Sequence, residues 1–466
     1  RFAADNYRPS EDTENPTDEV FKKLQPELNE DDLVSFVRTM KLFDWICRNV
    51  QLESDAPLTD DEKAARILFP DADSAAASGL PGLGYQRHPW QAMMFGRGDY
   101  VERAKLMITG LRYWGIDAVM LATGDDQKPW TVAAVIGGKY YLFDTKLALP
   151  IPGKRIGSVA TLSDVREDGS LLTQLDLTVT ETDLVNTKYW VQPDDVKQLT
   201  ALVYTSPEEL SKRLKGMEDS LIGENRIQLT ADLSAIAARL PKAEGVATKA
   251  WDIAFKTHQF RQAVRTAFED SSSETQNRLV WFYLNEEYIN RFRPYRTARG
   301  RFLIGKFQTP ADDPGLDAIE GWQRLIYDDG QISSLSSDVE LQTRHGIRRA
   351  NQSKTEFQDE IDAIQGQMRL IRVDAKLFLA QCLFDNANEN ASGSWLEDLS
   401  ADEASFRWAD SVIYLLGRSF ESSGDYDSAI KTLSKDELNQ AHGNIIRCRQ
   451  LKSLIKETYG EDTAAE

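Results

Sequence analysis

Between Asp31 and Val50 the apolar residues Leu33, Phe36, Val37, Met40, Phe43 and Ile46 recur at spacings of three and four. That period lays them along one face of an amphipathic helix. A second helix is predicted from about Tyr100 to Trp114. Asp99 stands where an N-cap belongs, and Gly115 suits the C-terminal stop. The period then changes. Ile116–Ala122 reads as a buried strand and Trp130–Ile136 as another. Gly137-Gly138 makes a hairpin turn into a partner strand, Lys139–Phe143. Helix, strand and hairpin in that order predict an α+β unit.

The pattern is mixed from 151 to 270. Ser206-Pro207-Glu208-Glu209 has the layout of a helix start, with Ser as cap, Pro in the first turn and Glu three residues after the cap. Asn225–Ala231 alternates like a half-buried strand, and Asp232–Leu240 returns to helix. Ser271–Ser273 marks a boundary. From Glu274 onward segments near 275–305, 316–328, 355–385, 402–422 and 426–436 read as helices separated by short polar turns. The resulting division is an extended acidic lead-in (1–32), an α+β domain (33–160), a mixed connecting region (161–270), a helical region (271–456) and an acidic tail (457–466).

Composition narrows the function. The 466 residues carry 55 Lys and Arg against 74 Asp and Glu, a formal net charge of −19. Phosphate contacts need clustered cations, so a nucleic-acid ligand is excluded as an expectation, and so is an anionic membrane surface. No apolar run reaches the roughly 18 residues of a membrane span. The chain starts at Arg1 and reads as a processed or lipid-anchored protein of a bacterial cell envelope or periplasm. Cys47, Cys382 and Cys448 are far apart and sit in apolar helical text, where a thiol acts as a small buried hydrophobe. His88, His258, His345 and His442 are too dispersed for a zinc site, so no metal and no cofactor is expected. The acidic pairs Asp125-Asp126, Asp312-Asp313 and Asp328-Asp329 read as solvated turns rather than calcium loops.

Two stretches carry a resemblance. Ala104, Met107, Trp114, Gly115 and Ile116, followed by Pro129-Trp130 and by Gly138-Lys139-Tyr140-Tyr141-Leu142-Phe143-Asp144, are spaced as in the transglutaminase-like superfamily, a branch of the papain-like thiol enzymes. The upstream helix Phe43–Val50 is also similar, so the resemblance covers about 42–153. It implies a Cys at a helix N-terminus, acidified by the helix dipole and a neighbouring imidazolium, that attacks an amide to form a thioester. It also implies a His oriented by an Asp. Here the Cys position holds Tyr100, and the His position falls at Pro129 or Trp130. Only Asp144 matches. A phenol titrates near 10 and is a poor nucleophile without a base. The resemblance therefore predicts the fold and argues against the chemistry, with Asp144 expected to hydrogen-bond its neighbours. The string Arg97-Gly98-Asp99 is too short to carry a function.

Residues 411–436 resemble a tetratricopeptide repeat, with Leu416-Gly417, Phe420, Gly424, Tyr426, Ala429 and Leu433 at the family's offsets. Ala375–Ala380 with Leu383, and Ala318-Ile319 with Trp322 and Leu325, look like degenerate neighbours. One repeat cannot bury its own faces, so neighbours are required. The resemblance implies a surface for other proteins. Arg291, Arg293, Arg296, Arg299 and Arg301, with Arg344, Arg348 and Arg349, are the densest basic clusters and the expected place for a charged interaction surface. The expected protein is thus a non-catalytic interaction or scaffold protein, its partners other proteins or a second copy of itself. Two other readings stand beside it. One is a hydrolase or transferase acting on peptide or glycan through Asp99, Tyr100 and Asp144. The other is a structural subunit of a homo-oligomer.

Overall fold

The computed structural model describes residues 23, 25–53, 88–155, 157–178, 187–223, 227, 229–253, 255, 292–308, 315–347, 352–402, 407–435 and 438–459. The fold is mixed α+β, with one larger sheet and a helical C-terminal half. It divides into two compact units. Among the described residues, the first takes those up to 53, those from 88 to 255 and those from 430 onward, and the second takes those from 292 to 429.

In the first unit the elements run α1 (Glu30–Asn49), β1 (Gln51–Leu52), α2 (Pro89–Phe95), β2 (Arg97–Gly98), α3 (Tyr100–Tyr113), β3 (Ala118–Thr123), β4 (Lys128–Ile136), β5 (Lys139–Asp144) and β6 (Leu149–Pro150). They continue with α4 (Leu162–Glu167), α5 (Ser170–Thr173), β7 (Leu199–Val203), α6 (Lys212–Ser220), α7 (Leu233–Arg239) and β8 (Val246–Ala250). The sheet order is β6-β5-β4-β3-β7-β8, antiparallel except for the parallel β7–β8 pair. Both hairpin glycines have positive φ, +55° at Gly137 and +73° at Gly138, the conformation a two-residue hairpin with right-handed strand twist requires. The predicted face of α1 packs on β5: Phe36 meets Tyr141 at 5.4 Å and Phe43 meets Phe143 at 5.3 Å between ring centroids. Asn29 caps α1, and Glu30, Asp31 and Asp32 place negative charge in its first turn.

Two expectations change. The lead-in gives way to packed structure before residue 33: Gln25 is buried and donates to the Val159 carbonyl, and residues 30–32 already belong to α1. Residues 1–22 of the lead-in lie outside the described residues, as do the tail from 460 and the Ser271–Ser273 boundary. The described part of Asn225–Ala231 is not a strand, because the Glu218 carboxylate takes the N–H groups of Leu229 and Thr230 that a ladder would need. The strands that complete the sheet are β7 and β8.

The second unit holds α8 (Arg293–Leu303), α9 (Ala318–Gln323), α10 (Asp329–Ser334), α11 (Val339–Arg344), α12 (Lys354–Asp385), α13 (Glu389–Ala401) and α14 (Ala409–Ser423). Its spine is α12, whose 32 residues extend about 48 Å at 1.5 Å per residue. Trp322 of α9 lies 5.0 Å from both Tyr295 of α8 and Phe378 of α12. Gly321 allows that approach, since a Cβ there would sit 2.7 Å from the Cβ of Ala298. Buried Asp374 of α12 pairs with Arg407 and accepts from Trp408 Nε1 at 2.6 Å. Gly424, at φ +81°, ends α14. Next come α15 (Tyr426–Leu433), which straddles residue 430, and α16 (Ala441–Tyr459), which belongs to the first unit. Ile445 and Ile446 of α16 share the core of the sheet strands, so that unit is closed by residues from the far end of the chain.

Candidate functional site

The sequence makes Tyr100, Trp130 and Asp144 the positions to inspect, and the fold brings all three to one end of the β4–β5 pair, beside the start of α3. Gly96, at φ +66°, ends α2 and turns the chain into β2. A Cβ on Gly98 would come within 3.0 Å of Glu102 Cβ and Oε2, so a larger residue here would press on the side chain that closes the cap of α3. Asp99 then caps α3: its carboxylate accepts from Glu102 N at 2.7 Å, and Glu102 Oε2 accepts from Asp99 N at 3.1 Å. The Arg97-Gly98-Asp99 string is consumed by this turn, with Arg97 and Gly98 buried.

Tyr100 is half-buried. Its hydroxyl points at the Pro129 carbonyl, 3.5 Å away, and its own carbonyl accepts from Thr145 Oγ1 at 2.7 Å. Trp130, on β4, is wholly buried and donates through Nε1 to the Tyr189 hydroxyl at 2.8 Å. That hydroxyl donates in turn to Asp144 Oδ2 at 2.5 Å. The other carboxylate oxygen of Asp144 accepts from the backbone N–H groups of Lys146, at 2.8 Å, and Leu147, at 3.0 Å. Asp144 is thus enclosed by three donors. Burial lifts its pKa to about 6, and the Tyr189, Leu147 and Lys146 hydrogen bonds oppose the rise. Burial and the adjacent Asp144 push the Tyr189 phenol well above its ordinary range, so it stays protonated and donating at neutral pH. Trp130, Tyr189 and Asp144 form a closed relay with no group exposed to a substrate.

An imidazole does reach this neighbourhood, from α16, which no local pattern places here. His442 on α16 lies with its ring 5.5 Å from Trp190 and 6.5 Å from Tyr189. Its Nε2 is 2.7 Å from the Leu175 carbonyl, an acceptor only, so Nε2 carries the proton. Burial lowers its pKa, which keeps the ring neutral near pH 7. Arg103 of α3 is a second unforeseen member. Fully buried, it donates to the carbonyls of Val50, Cys47 and Thr145 and to Gln440 Oε1. It ties the end of α1, the turn after β5 and the approach to α16 together beneath the site.

The other candidates are dispersed. Cys47, Cys382 and Cys448 are all buried. His88 caps the start of α2 and lies 3.4 Å from Glu208. Among the basic residues, Arg299 is interior rather than part of a surface. Its guanidinium lies 4.3 Å from the Phe378 ring and 5.1 Å from the Phe302 ring and donates to Gln381 Oε1 at 3.3 Å, and burial lowers its pKa to about 10. Arg296 is exposed, Arg301 is half-buried, and Arg344 is exposed and pairs with Glu340 at 3.4 Å. Arg293 contributes backbone to α8. Arg291, Arg348 and Arg349 lie outside the described residues, as do Asp312 and Asp313. Among the described residues no group of His, Cys, Asp and Glu is placed to hold a metal ion, and no helix is long and apolar enough to cross a membrane. Compared with family models, curated proteins and solved structures, the chain matches none.

Proposed function

We propose that this chain is a non-catalytic interaction or scaffold protein, built on a transglutaminase-like domain that lacks its nucleophile and on tetratricopeptide-like helices. The observation that carries this reading is the Trp130–Tyr189–Asp144 relay. The carboxylate that would orient a histidine spends one oxygen on a phenol and the other on two backbone N–H groups, and an indole stands where the base would be. Tyr100, at the nucleophile's position, directs its hydroxyl to a backbone carbonyl, an acceptor that cannot remove a proton productively. The same arrangement weakens the reading of Tyr100 and Asp144 as an acid–base pair for peptide or glycan hydrolysis, since Asp144 faces no open space. The resemblance of 411–436 to a repeat family that binds proteins supplies the interaction half of the proposal. Thiol trapping tests the missing nucleophile. Iodoacetamide should leave the native protein unmodified and label Cys47, Cys382 and Cys448 after denaturation. Rapid native labelling confined to Cys47 would overturn the reading.

A further inference from the structure

The larger sheet ends differently at its two edges. β6 is two residues long, and Pro150 has no N–H to offer a further strand. β8 is five residues long, and among the described residues no strand pairs with its outer side. Leu199 N donates to the Gly245 carbonyl at 2.8 Å, and Trp251 N donates to the Val203 carbonyl at 2.9 Å. Peptide groups alternate along a strand, so Ala247 and Lys249 also turn toward β7, while Val246, Thr248 and Ala250 turn away from it. The Val246 N–H is spent on the Ala243 carbonyl at 3.2 Å. The Val246 carbonyl and both backbone groups of Thr248 and Ala250 have no partner among the described residues. Ala247, Thr248, Lys249 and Ala250 are exposed, and all but Lys249 have short side chains that leave the backbone open to approach. We propose that the outer edge of β8 is a docking site for an extended segment of a partner polypeptide, which adds an antiparallel strand and carries a carboxylate opposite Lys249.

The kind of occupant follows from the backbone. Donors and acceptors repeated at every second residue are matched by another extended chain. Lys249 then selects its sequence. It is the one charged side chain of β8, exposed and in no ion pair among the described residues. On an antiparallel partner the residue opposite Lys249 falls in a non-hydrogen-bonded pair, where side chains approach most closely and an opposite charge is favoured. A second copy fits less well. Pairing Thr248 with its own copy about a two-fold axis sets the two Lys249 side chains diagonally across the strands, and two bodies of charge −19 repel. A short segment meets Lys249 first, because the charge of the rest of the chain is screened beyond about 8 Å at physiological ionic strength. This inference goes beyond the interaction reading above, which draws on the repeat-like helices, and stands on the sheet alone.

Fluorescence anisotropy on the full chain tests it. The probe is a labelled, blocked peptide of alternating threonine and valine with one central glutamate. The native protein should bind it about fivefold tighter than a copy with lysine in place of the glutamate, and Lys249→Glu should reverse that preference. A copy methylated on its backbone nitrogens should not bind. Thr248→Pro removes an N–H that points away from β7, where an edge strand tolerates proline. That variant should melt like the native protein and lose the probe. Absence of binding to the native protein, or binding that survives Thr248→Pro or backbone methylation, refutes the site. If Thr248→Pro does not fold, the Lys249→Glu reversal decides, and a preference that stays unchanged refutes the proposal. A native dimer in light scattering that Thr248→Pro disperses would identify a second copy as the occupant and overturn it.

Discussion

Asp144 faces no solvent, and for a carboxylate without water the ordinary remedy is protonation. Three donors keep it ionisable, yet its pKa still rises from 3.8 to about 6. A group with a raised folded-state pKa stabilises the fold below its unfolded pKa, and that contribution is lost as pH climbs through the folded value. The window is therefore about pH 4 to 6, and a rise of about two units corresponds to roughly 3 kcal/mol. In urea titrations at pH 4 and pH 7, native stability minus that of Asp144→Asn should fall by up to this amount; a pH-independent difference would refute the assignment. Arg103 makes the complementary case of a buried cation satisfied by carbonyls and an amide. Arg103→Met leaves those acceptors buried without a donor and should cost about 3–5 kcal/mol, read as a lower urea midpoint. The sequence discloses Asp144 as a hydrogen-bonding residue because its strand and turn are local. Tyr189 and His442 are not disclosed, since they lie 45 residues from Asp144 and 267 from Leu175 respectively, separations no periodicity spans.

The elements show the same division between local and distant causes. α1, α3 and the β4–β5 hairpin follow from caps, spacing and the glycine pair. β7 and β8 escape a period-based reading. Leu199–Val203 is buried throughout and so shows no alternation, while Val246–Ala250 is mostly exposed and carries little apolar signal. The Asn225–Ala231 alternation misleads because Glu218 captures its N–H groups. Helix contacts set two further expectations. A Cβ on Gly443 in α16 would sit 1.8 Å from the Leu147 carbonyl oxygen. Gly443→Ala must therefore push α16 off the turn that follows Asp144, with an expected loss of about 3 kcal/mol or failure to fold, measured by thermal denaturation. Gly393 lies inside α13, with Ser419 Cβ as its nearest neighbour at 3.9 Å from an added Cβ. There alanine relieves glycine's helix penalty without a clash, and Gly393→Ala should raise stability by about 0.5–1 kcal/mol.

At the scale of the whole molecule, the chain is organised as two units that are discontinuous in sequence. A reading along the chain divides it into successive blocks, and the last helix then falls with its sequence neighbours. What assigns α16 to the sheet's unit is the burial of Ile445 and Ile446 in that core, together with the lack of a side chain at Gly443. The basic clusters illustrate the complementary limit. Composition shows that arginines gather near 291–301, but only packing reveals that Arg299 lies between Phe302 and Phe378. The central claim concerns chemistry, and turnover tests it most directly. Amine incorporation into a glutamine peptide, followed from pH 5 to 9, should stay at the buffer rate for the native protein and for Tyr100→Ala alike. Robust incorporation by the native protein that disappears in Tyr100→Ala would contradict the account.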